Sequence, residues 1–381
     1  MKKKGAEIVW ECLVREGVEV VFGYPGGANM PIYDAMLNYP VHHVLVRHEQ
    51  GAAHMADGYA RASGKVGVAM ATSGPGATNL VTGICTAMMD SVPVVFITGQ
   101  VAAHLIGGDA FQETDVTGIT LPITKHNYLV TRAEEIAETI REAFYIARSG
   151  RPGPVLIDIC KNAQVESCEF VYPEEIKLRG YQPVTRSPRN LLDRAVALIE
   201  RARKPIILCG HGVLMSKAEE ELMQFAVKTQ TPVASTLLGL GAFPASHELS
   251  LGMMGMHGEF HTNMAIQNAD LILAFGMRFD DRVTGTLKTY APRAKKIHIE
   301  IDPSEIHKNV FVDVPLVGDV KNVVSDLIPL VDEYDHDDWK EEINSWKTDG
   351  DIRSIMNWEE DGKLYVAHLV ADIWKATDGN A

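Results

Sequence analysis

The sequence lacks long apolar runs, paired cysteines and any excess of positive charge. Its 381 residues include 36 lysines and arginines against 50 aspartates and glutamates, a formal net charge of −14. That balance disfavours nucleic acid and anionic membrane as partners. No apolar run approaches the roughly 20 residues of a membrane span. The basic start Met1-Lys2-Lys3-Lys4 is followed by Glu7 and Glu11, which predicts an amphipathic helix of a cytoplasmic protein rather than a signal peptide.

Several motifs of cofactor and metal sites are also missing. The five cysteines form no C-x-x-C pair, as expected of reduced thiols in the cytosol. The fingerprint G-x-G-x-x-G is absent, because Met215 stands where a third glycine would follow Gly210 and Gly212. No G-x-x-x-x-G-K-[ST] loop occurs either, so NAD binding and nucleotide hydrolysis lose support. The 14 histidines show no H-E-x-x-H spacing, and the sequence predicts no metal site built by these residues.

What the chain does contain is a steady alternation of short apolar runs with helical patterns. This alternation predicts an α/β fold class, with two doubly wound parallel-sheet domains that carry helices on both faces. The predicted strands lie at 18–22, 43–46, 66–71, 94–98, 155–159, 205–209, 232–236, 271–275, 296–301 and 315–317. The clearest predicted helices lie at 136–147, 191–199 and 219–227.

Changes in composition divide the chain into four parts. The first domain is predicted at 1–165, and a polar, proline-bearing linker at 166–188 separates it from a second domain at 189–330. The remainder, 331–381, begins with a strongly acidic stretch that shows no clean period, and helical character returns only at 364–374. We interpret this remainder as a linker tail towards a further domain.

One segment, 46–61, places a carboxylate beside a seam of small residues. Ala52, Ala56 and Ala60 recur at every fourth position and so line one stripe of a helix. Glu49 stands at the start of that helix. An isolated glutamate there is equally explained as a helix cap or an ion-pair partner.

Glycine-rich turns follow several predicted strands. They read G-Y-P-G-G at 23–27, T-S-G-P-G at 72–76 and G-H-G at 210–212. Each alone could be a plain turn. Because ligands of doubly wound folds gather at the carboxyl ends of strands, the set favours a ligand crevice.

An ordered series of motifs then identifies a family. They are 23–27, V-R-H-E-Q-G-A-A-H-M-A-D-G-Y-A-R at 46–61, 72–79, G-G-D-A-F-Q-E at 107–113, T-K-H-N-Y at 124–128, G-R-P-G-P at 150–154 and R-F-D-D-R-V-T-G at 278–285. Together they resemble the thiamine-diphosphate enzymes, and among these the large catalytic subunit of the acetolactate synthase (acetohydroxyacid synthase) family. The resemblance runs from about residue 5 to residue 319.

The resemblance implies roles for residues of the first domain. Glu49 matches the glutamate that hydrogen-bonds the aminopyrimidine ring of thiamine diphosphate and promotes removal of the thiazolium C2 proton. The residues implied to line the aminopyrimidine are Tyr24, Pro25, Gly26, Gly27, Pro75, Asn79 and Gln112. Those implied to border the 2-oxo acid channel are Phe111, Lys161 and Arg282, and two cations suit a carboxylate substrate on chemical grounds as well.

The second domain resembles the FAD-binding domain of the same family, which holds its flavin without a Rossmann fingerprint. The matching positions are Arg151, Gly210, Gly212, Thr236, Leu237, Gly255, Met256, His257, Gly276, Arg278, Asp280, Val283, Glu300, Ile301 and Asp319. Core packing is an equal explanation for the methionines at 253, 254 and 256.

The sequence also departs from the family. Cys160-Lys161-Asn162 and Ala102-Ala103 replace commoner proline- and aspartate-bearing patterns beside the substrate channel. A larger departure concerns the family's third domain, which binds the diphosphate through Mg²⁺ with a G-D-G…N signature. The nearest string, D-G-D at 349–351, has the wrong order. These residues are therefore expected to hold only the pyrimidine half of the site, with Mg²⁺ bound through an absent domain.

The resemblance implies a homodimer or higher oligomer, a separate chain that carries the missing domain, and a regulatory small subunit as a further partner. The leading hypothesis is a truncated or split acetolactate synthase large subunit, inactive alone, of valine, leucine and isoleucine synthesis. A flavin-dependent pyruvate oxidase or another carboligase of the superfamily is a second hypothesis. A non-catalytic flavin-binding interaction module is the third.

Overall fold

The protein consists of two compact units, Met1–Pro183 and Val184–Ala381, each with its own six-stranded sheet. A computed structural model describes residues 1–176, 178–351 and 362–379. The division between the units falls inside the segment 166–188 that the sequence predicts to be a linker. Within the described ranges, no helix combines the length and the apolar character needed to cross a membrane.

The first unit is built on a sheet of parallel strands in the order β3-β2-β4-β5-β7-β6. Its strands are β2 (Val20–Gly23), β3 (His42–Leu45), β4 (Gly67–Ala71), β5 (Val94–Gln100), β6 (His126–Val130) and β7 (Val155–Cys160), and a separate antiparallel pair is formed by β1 (Lys2–Lys4) and β8 (Ser167–Glu169). Its helices are α1 (Gly5–Arg15), α2 (Met30–Ala35), α3 (Glu49–Ser63), α4 (Pro75–Asn79), α5 (Val81–Asp90), α6 (Val116–Thr120), α7 (Ile136–Arg148) and α8 (Lys161–Val165).

Helices cover both faces of this sheet, as the sequence predicts for the α/β class. Every residue of β4, β5 and β7 is buried, because a parallel sheet covered on two sides needs apolar residues on both. The predicted stripe of α7 faces one core, where Ile136, Ile140 and Ala147 are fully buried. Helices α3 and α5 pack on the other face.

Three segments of the first unit differ from their predictions. Residues 2–4 form a strand that pairs with β8, so the amphipathic helix begins only at Gly5. The same pairing fixes 167–169, which the sequence places in the linker, against the first unit. The edge strand β6 has no counterpart among the predicted strands, because its polar, half-exposed residues lack the apolar run of the central strands.

The second unit carries parallel strands in the order β11-β10-β9-β12-β13-β14. They are β9 (Pro205–Cys209), β10 (Val233–Ser235), β11 (Ser250–Met253), β12 (Leu271–Phe275), β13 (Lys295–Glu300) and β14 (Val314–Val317). Its helices are α9 (Arg189–Ile199), α10 (His211–Ser216), α11 (Glu219–Thr229), α12 (Phe260–Asn268), α13 (Asp281–Thr284), α14 (Val320–Leu327), α15 (Asp337–Asp351) and α16 (Val366–Ala376). Predicted strands 205–209 and 271–275 are confirmed in full.

The acidic stretch predicted as the start of a linker tail is, from 337 to 351, the helix α15. Trp339 and Ile343 are each only 1% exposed and belong to the core formed with α12. The Trp339 indole Nε1 donates a hydrogen bond of 3.0 Å to the Pro205 carbonyl oxygen. The prediction missed this helix because few large apolar residues bury it, whereas most of its other positions are charged or polar. Residues 352–361 of the predicted tail lie outside the described residues.

Candidate functional site

The first sheet reverses its strand order between β2 and β4, whose Gly23 and Met70 are register partners. In open parallel sheets, ligands bind in the crevice outside the carboxyl ends of the strands at such a point. The loops 24–29 and 72–74 follow β2 and β4 there. Glu49 begins α3, which follows the neighbouring strand β3.

Glu49 is buried at this edge, with 9% of its surface exposed. Its Oε2 accepts a hydrogen bond of 2.9 Å from Asn79 Nδ2, and Asn79 is the last residue of α4. The His48 side chain caps α3, because its Nδ1 accepts from the Gln50 backbone N–H at 3.1 Å. The carboxylate therefore sits at a helix N-terminus, where the helix dipole favours negative charge.

Two glycines allow the loops to close around Thr72 and Glu49. A Cβ at Gly26 would lie 2.5 Å from the Thr72 Cβ, and one at Gly76 would lie 2.8 Å from Thr72 Cγ2 and 3.3 Å from Glu49 Oε1. By contrast, a Cβ at Gly27 would meet nothing within 4 Å. Glycine is thus required by close packing at Gly26 and Gly76, whereas Gly27 borders open space.

The loop 107–113 packs against the same site. Gly74 has φ +53°, and a Cβ there would lie 2.6 Å from the Gln112 carbonyl oxygen. Gln112 itself adopts φ +59°. The Glu113 carboxylate accepts hydrogen bonds from the Gly107 and Ala110 backbone N–H groups, which lower its pKa, the bond from Gly107 having the largest effect. Glu113 therefore fixes the loop that presents Gln112.

The alanine stripe of α3 is a packing seam. Ala52 and Ala56 are fully buried, and a Cβ on Gly67 of β4 would collide with the Ala56 carbonyl oxygen. A Cβ on Gly83 of α5 would collide with Ala53. The helix that begins at Glu49 is thus held by backbone-close contacts, as the stripe predicts.

Other predicted residues of the first unit lie at its surface. Tyr24 is 43% exposed, and Pro25 and Pro75 are exposed beside it in the two loops. Phe111 is 87% exposed, and the exposed Lys161 begins α8 after β7. Arg282, the third residue predicted for the substrate channel, belongs to the second unit. The predicted substrate set is therefore not gathered within one unit.

The second sheet reverses its order between β9 and β12. Fourteen of the fifteen predicted flavin residues lie in the second unit, at or just beyond the carboxyl ends of its strands. The fifteenth, Arg151, lies in the first unit, where its Nε donates a hydrogen bond of 2.8 Å to Ser91 Oγ. At the reversal point, the Gly212 backbone N–H donates to the Gly276 carbonyl at 2.9 Å. Gly276 has φ +56°, and a Cβ on it would lie 2.7 Å from the Gly212 Cα. These glycines are required for close contact between two backbone segments.

Another group forms where the loop after β11 meets α13. The Met256 N–H donates to the Arg282 carbonyl at 2.8 Å, and Asp280 accepts from the Arg282 and Val283 N–H groups at 3.0 and 3.2 Å. A Cβ on Gly255, which has φ +97°, would lie 3.2 Å from the Val283 Cα. Met256 is 60% exposed and His257 is also exposed, so Met256 is not a core residue, whereas Met254 is buried. Arg278 lies 4.0 Å from Asp280.

Three predicted polar residues are engaged by the backbone of their own loops. Glu300 accepts from the Ile301 and Asp302 N–H groups at 2.9 and 3.1 Å. Asp319 caps α14, and it also accepts from Ser216 Oγ at 2.9 Å. Thr236 caps the turn Leu237–Gly239, where Leu237 is 70% exposed.

Sequence reasoning assigned no role to three residues near Glu49. Thr72 fills the space between Gly26 and Gly76, and His48 caps α3. The Tyr33 hydroxyl is buried without a hydrogen-bond partner in the described structure, and burial together with the Glu49 charge raises its pKa. Thr72 and His48 had a signal, their places in the motifs at 72–76 and 46–61, whereas Tyr33 had none.

Other features of the described residues lie apart from this site. Cavities of about 320 and 360 Å³ occur beside α7 and beside α15, and neither is lined by a predicted site residue. Within the described ranges, no group of three or more histidine, cysteine, aspartate or glutamate side chains is placed to hold a metal ion.

Comparisons with known proteins agree with this arrangement. Residues 3–119 match the thiamine pyrophosphate enzyme N-terminal TPP binding domain, and residues 192–327 match the thiamine pyrophosphate enzyme central domain. The chain is 47% identical to the acetolactate synthase large subunit of Haemophilus influenzae, over 100% of this chain and 68% of that protein. It is 46% identical to the acetolactate synthase large subunit of Buchnera aphidicola, over 99% of this chain and 67% of that protein.

A probable acetolactate synthase large subunit of Methanocaldococcus jannaschii is 51% identical, over 90% of this chain and 59% of that protein. The chain thus spans about two thirds or less of the length of these relatives. The chain belongs to the acetolactate synthase large-subunit family of thiamine-diphosphate enzymes.

Proposed function

We propose that the first unit provides the pyrimidine half of a thiamine-diphosphate site. The enzyme that contains it would condense two pyruvates, or pyruvate with 2-oxobutanoate, to 2-acetohydroxy acids for branched-chain amino-acid synthesis. The observation that carries this proposal is Glu49, a carboxylate buried at the reversal point of the sheet with Asn79 on one oxygen. The alternative functions of an oxidase or a non-catalytic module gain no comparable observation.

The residues fit an aminopyrimidine ring. Asn79 is the hydrogen-bond donor to Glu49 in the described part of the chain, which leaves Oε1 for a ring nitrogen. Gly26, Gly27 and Gly76 keep side chains out of the space between the loops. Burial strengthens a hydrogen bond that a carboxylate accepts, because little water competes. When bound, thiamine diphosphate supplies the carbon nucleophile; Glu49 would hold a proton at the ring nitrogen.

The test is Glu49→Gln in the native enzyme that contains this chain. The amide keeps the shape but does not take up a proton, so acetolactate formation from pyruvate should fall by about 10²- to 10⁴-fold. Glu19→Gln is the matched control, since Glu19 pairs with Lys65 at the surface and its loss should leave the rate unchanged. A Glu49→Gln enzyme within about threefold of wild type would contradict the proposal.

The second unit would bind FAD along the carboxyl edge of its sheet. Support comes from the strand reversal, the backbone-close Gly210, Gly212 and Gly276, and the Arg278 guanidinium, which suits a diphosphate. FAD titration of the purified chain, followed by flavin fluorescence, should give saturable binding. Arg278→Met should weaken it about tenfold, whereas Arg293→Met, which removes a surface contact to Asn268, should not. Absence of binding by wild type would refute the proposal.

Mg²⁺ and the diphosphate would be bound by residues beyond these 381. The G-D-G…N signature does not occur in the sequence, and a diphosphate needs a metal or oriented donors. We therefore expect the 381-residue chain, with thiamine diphosphate and Mg²⁺, to form no acetolactate above background. Addition of a polypeptide that carries the metal domain should restore acetolactate formation. Robust turnover by the chain alone would refute this part.

The assembly is proposed as a cytoplasmic homodimer or higher oligomer with a regulatory small subunit, which sizing of the native enzyme would test.

A further inference from the structure

A buried carboxylate lies beneath the loop that presents Gln112. Asp158 is on β7 and is only 1% exposed. Its Oδ1 accepts a hydrogen bond of 2.7 Å from Thr98 Oγ1, and its Oδ2 accepts one of 2.9 Å from Gln100 Nε2. Both donors belong to the neighbouring strand β5 and are themselves buried. A buried carboxylate with neutral partners is uncommon, because burial disfavours its charge.

The Gln100 amide links this carboxylate to the loop. Its Nε2 also donates to the Thr114 carbonyl oxygen at 2.9 Å, and its Oε1 accepts from the Val101 N–H at 2.8 Å. The bond from Val101 fixes the amide orientation, so both N–H groups point to their two acceptors. Gln100 therefore holds both ends of the segment 101–114.

The sheet does not need these side chains to form. Strands β5 and β7 are already paired in register from Val95 to Gln100. The link adds a fixed position for Thr114, two residues after Gln112. Gln112 in turn lies against Gly74, in the loop that leads into α4, and Asn79 at the end of α4 donates to Glu49.

We propose that Asp158 is a positioning residue that, through the Gln100 amide, fixes the loop 101–114 and with it the backbone of Gln112 against Gly74. This role rests on the proposed function of that loop as part of the thiamine-diphosphate site. Asp158 acts on the site only through Gln100 and is not itself expected to touch cofactor or substrate.

The first test needs no cofactor. Hydrogen exchange is measured at the Gly107, Ala110 and Glu113 amides, which are hydrogen-bonded within the loop, in the purified 381-residue chain. Gln100→Met keeps the size but does not donate, and should raise exchange at these amides by about tenfold or more. Asp158→Ala should do the same. Asp158→Asn should stay near wild type, because its carbonyl oxygen still accepts from Gln100.

Tyr128→Phe is the matched control. Tyr128 lies on β6, the strand next to β7, and the change removes its hydroxyl's hydrogen bond of 3.1 Å to Glu142 of α7. A general loosening of the sheet would therefore raise loop exchange in this variant too. The proposal is overturned if Gln100→Met leaves loop exchange as in wild type, or if the control loosens the loop equally. If Asp158→Ala does not fold, the exchange rates of Gln100→Met decide the test. That variant leaves Asp158 in place with its hydrogen bond from Thr98.

The second test uses the native enzyme that contains this chain. Gln100→Met should raise the KM for thiamine diphosphate by about tenfold while kcat at saturation changes little. A KM unchanged in an enzyme whose loop exchanges faster would overturn the positioning role. A wild-type enzyme without thiamine-diphosphate dependence would instead refute the proposed function, and the exchange test would still decide whether Asp158 fixes the loop.

Discussion

Around Glu49, three residues have separate physical tasks. Asn79 donates the hydrogen bond that orients the carboxylate, His48 caps the helix that carries it, and Gly76 keeps the space next to it free of a side chain. Each task could be read from the geometry but not from the residue type alone. Asn79 and His48 act through directional hydrogen bonds, whereas Gly76 acts because it has no side chain to occupy the space.

The volume left by Gly76 can be tested by filling it. Gly76→Ala would place a methyl group 2.8 Å from Thr72 Cγ2 and 3.3 Å from Glu49 Oε1. We expect a loss of about 1–3 kcal/mol in the stability of the first unit, measured by hydrogen exchange of the β4 and β5 amides. Gly58→Ala is the control, because its Cβ would meet nothing within 4 Å on α3; it should be neutral or stabilising. Equal effects from both changes would contradict this account.

Asp158 makes stability depend on pH. Burial, opposed by hydrogen bonds from Thr98 and Gln100 and assisted by the Asp115 charge, raises the pKa of Asp158 to about 6. The folded state then binds this proton more tightly than the unfolded state does. The contribution of Asp158 to stability is therefore largest at low pH and decreases as pH rises from about 4 through about 6. Besides Asp115, Cys160 is a titratable neighbour of Asp158, and its own pKa is raised by burial.

The matching variant is Asp158→Asn, which has no proton to lose. Its stability relative to wild type should increase by about 1 kcal/mol between about pH 5 and about pH 7.5. Hydrogen exchange of the β5 and β7 amides would report this difference for the first unit. A difference that does not change with pH would show that Asp158 is already ionised at pH 5, and one that changes in the opposite direction would contradict a raised pKa of Asp158 in the folded state.

At the scale of elements, buried apolar strands were predicted well and mixed segments were not. β9 and β12 have every residue buried, and a short apolar run between two helical patterns is typical of such a strand. β6 has exposed polar positions, and α15 has only one apolar stripe in an acidic sequence. Tertiary packing decides both, through pairing with β7 and burial against α12. No local pattern carries that information.

Helix α15 gives a test at this scale. Trp339→Ala removes a buried ring, its hydrogen bond to the Pro205 carbonyl and its contact with Lys204. The second unit should lose about 3–5 kcal/mol of stability, as followed by urea unfolding with circular dichroism. Trp374→Ala on α16 is the control, because Trp374 is 63% exposed, and it should change stability by less than about 0.5 kcal/mol. A small effect at Trp339 would mean that α15 is not part of this core.

For the whole molecule, each unit has its own sheet, whose strand order reverses between β2 and β4 in the first unit and between β9 and β12 in the second. We therefore predict that the two ligands protect two separate sets of segments from hydrogen exchange. Thiamine diphosphate should slow hydrogen exchange in 24–29 and 72–79, whereas FAD should slow it in 210–212 and 255–258. At about 100 times Kd the protection should reach about 2.7 kcal/mol. The segment 201–204, at the opposite edge of the second sheet, should not change with either ligand. Protection of the same segments by both ligands would contradict the assignment of one ligand to each unit.

The sequence by itself determined the fold class, most central strands and the family, because buried parallel strands and backbone-close glycines need particular residues at particular positions. It also placed Glu49 at the start of a helix. Only the tertiary structure decided that Asn79 orients the carboxylate, that Gly26 and Gly76 meet on Thr72, and that Gln100 joins Asp158 to the Gln112 loop. Those contacts join residues up to 58 positions apart, as in the Gln100–Asp158 bond, and their geometry exists only after the strands are aligned in register.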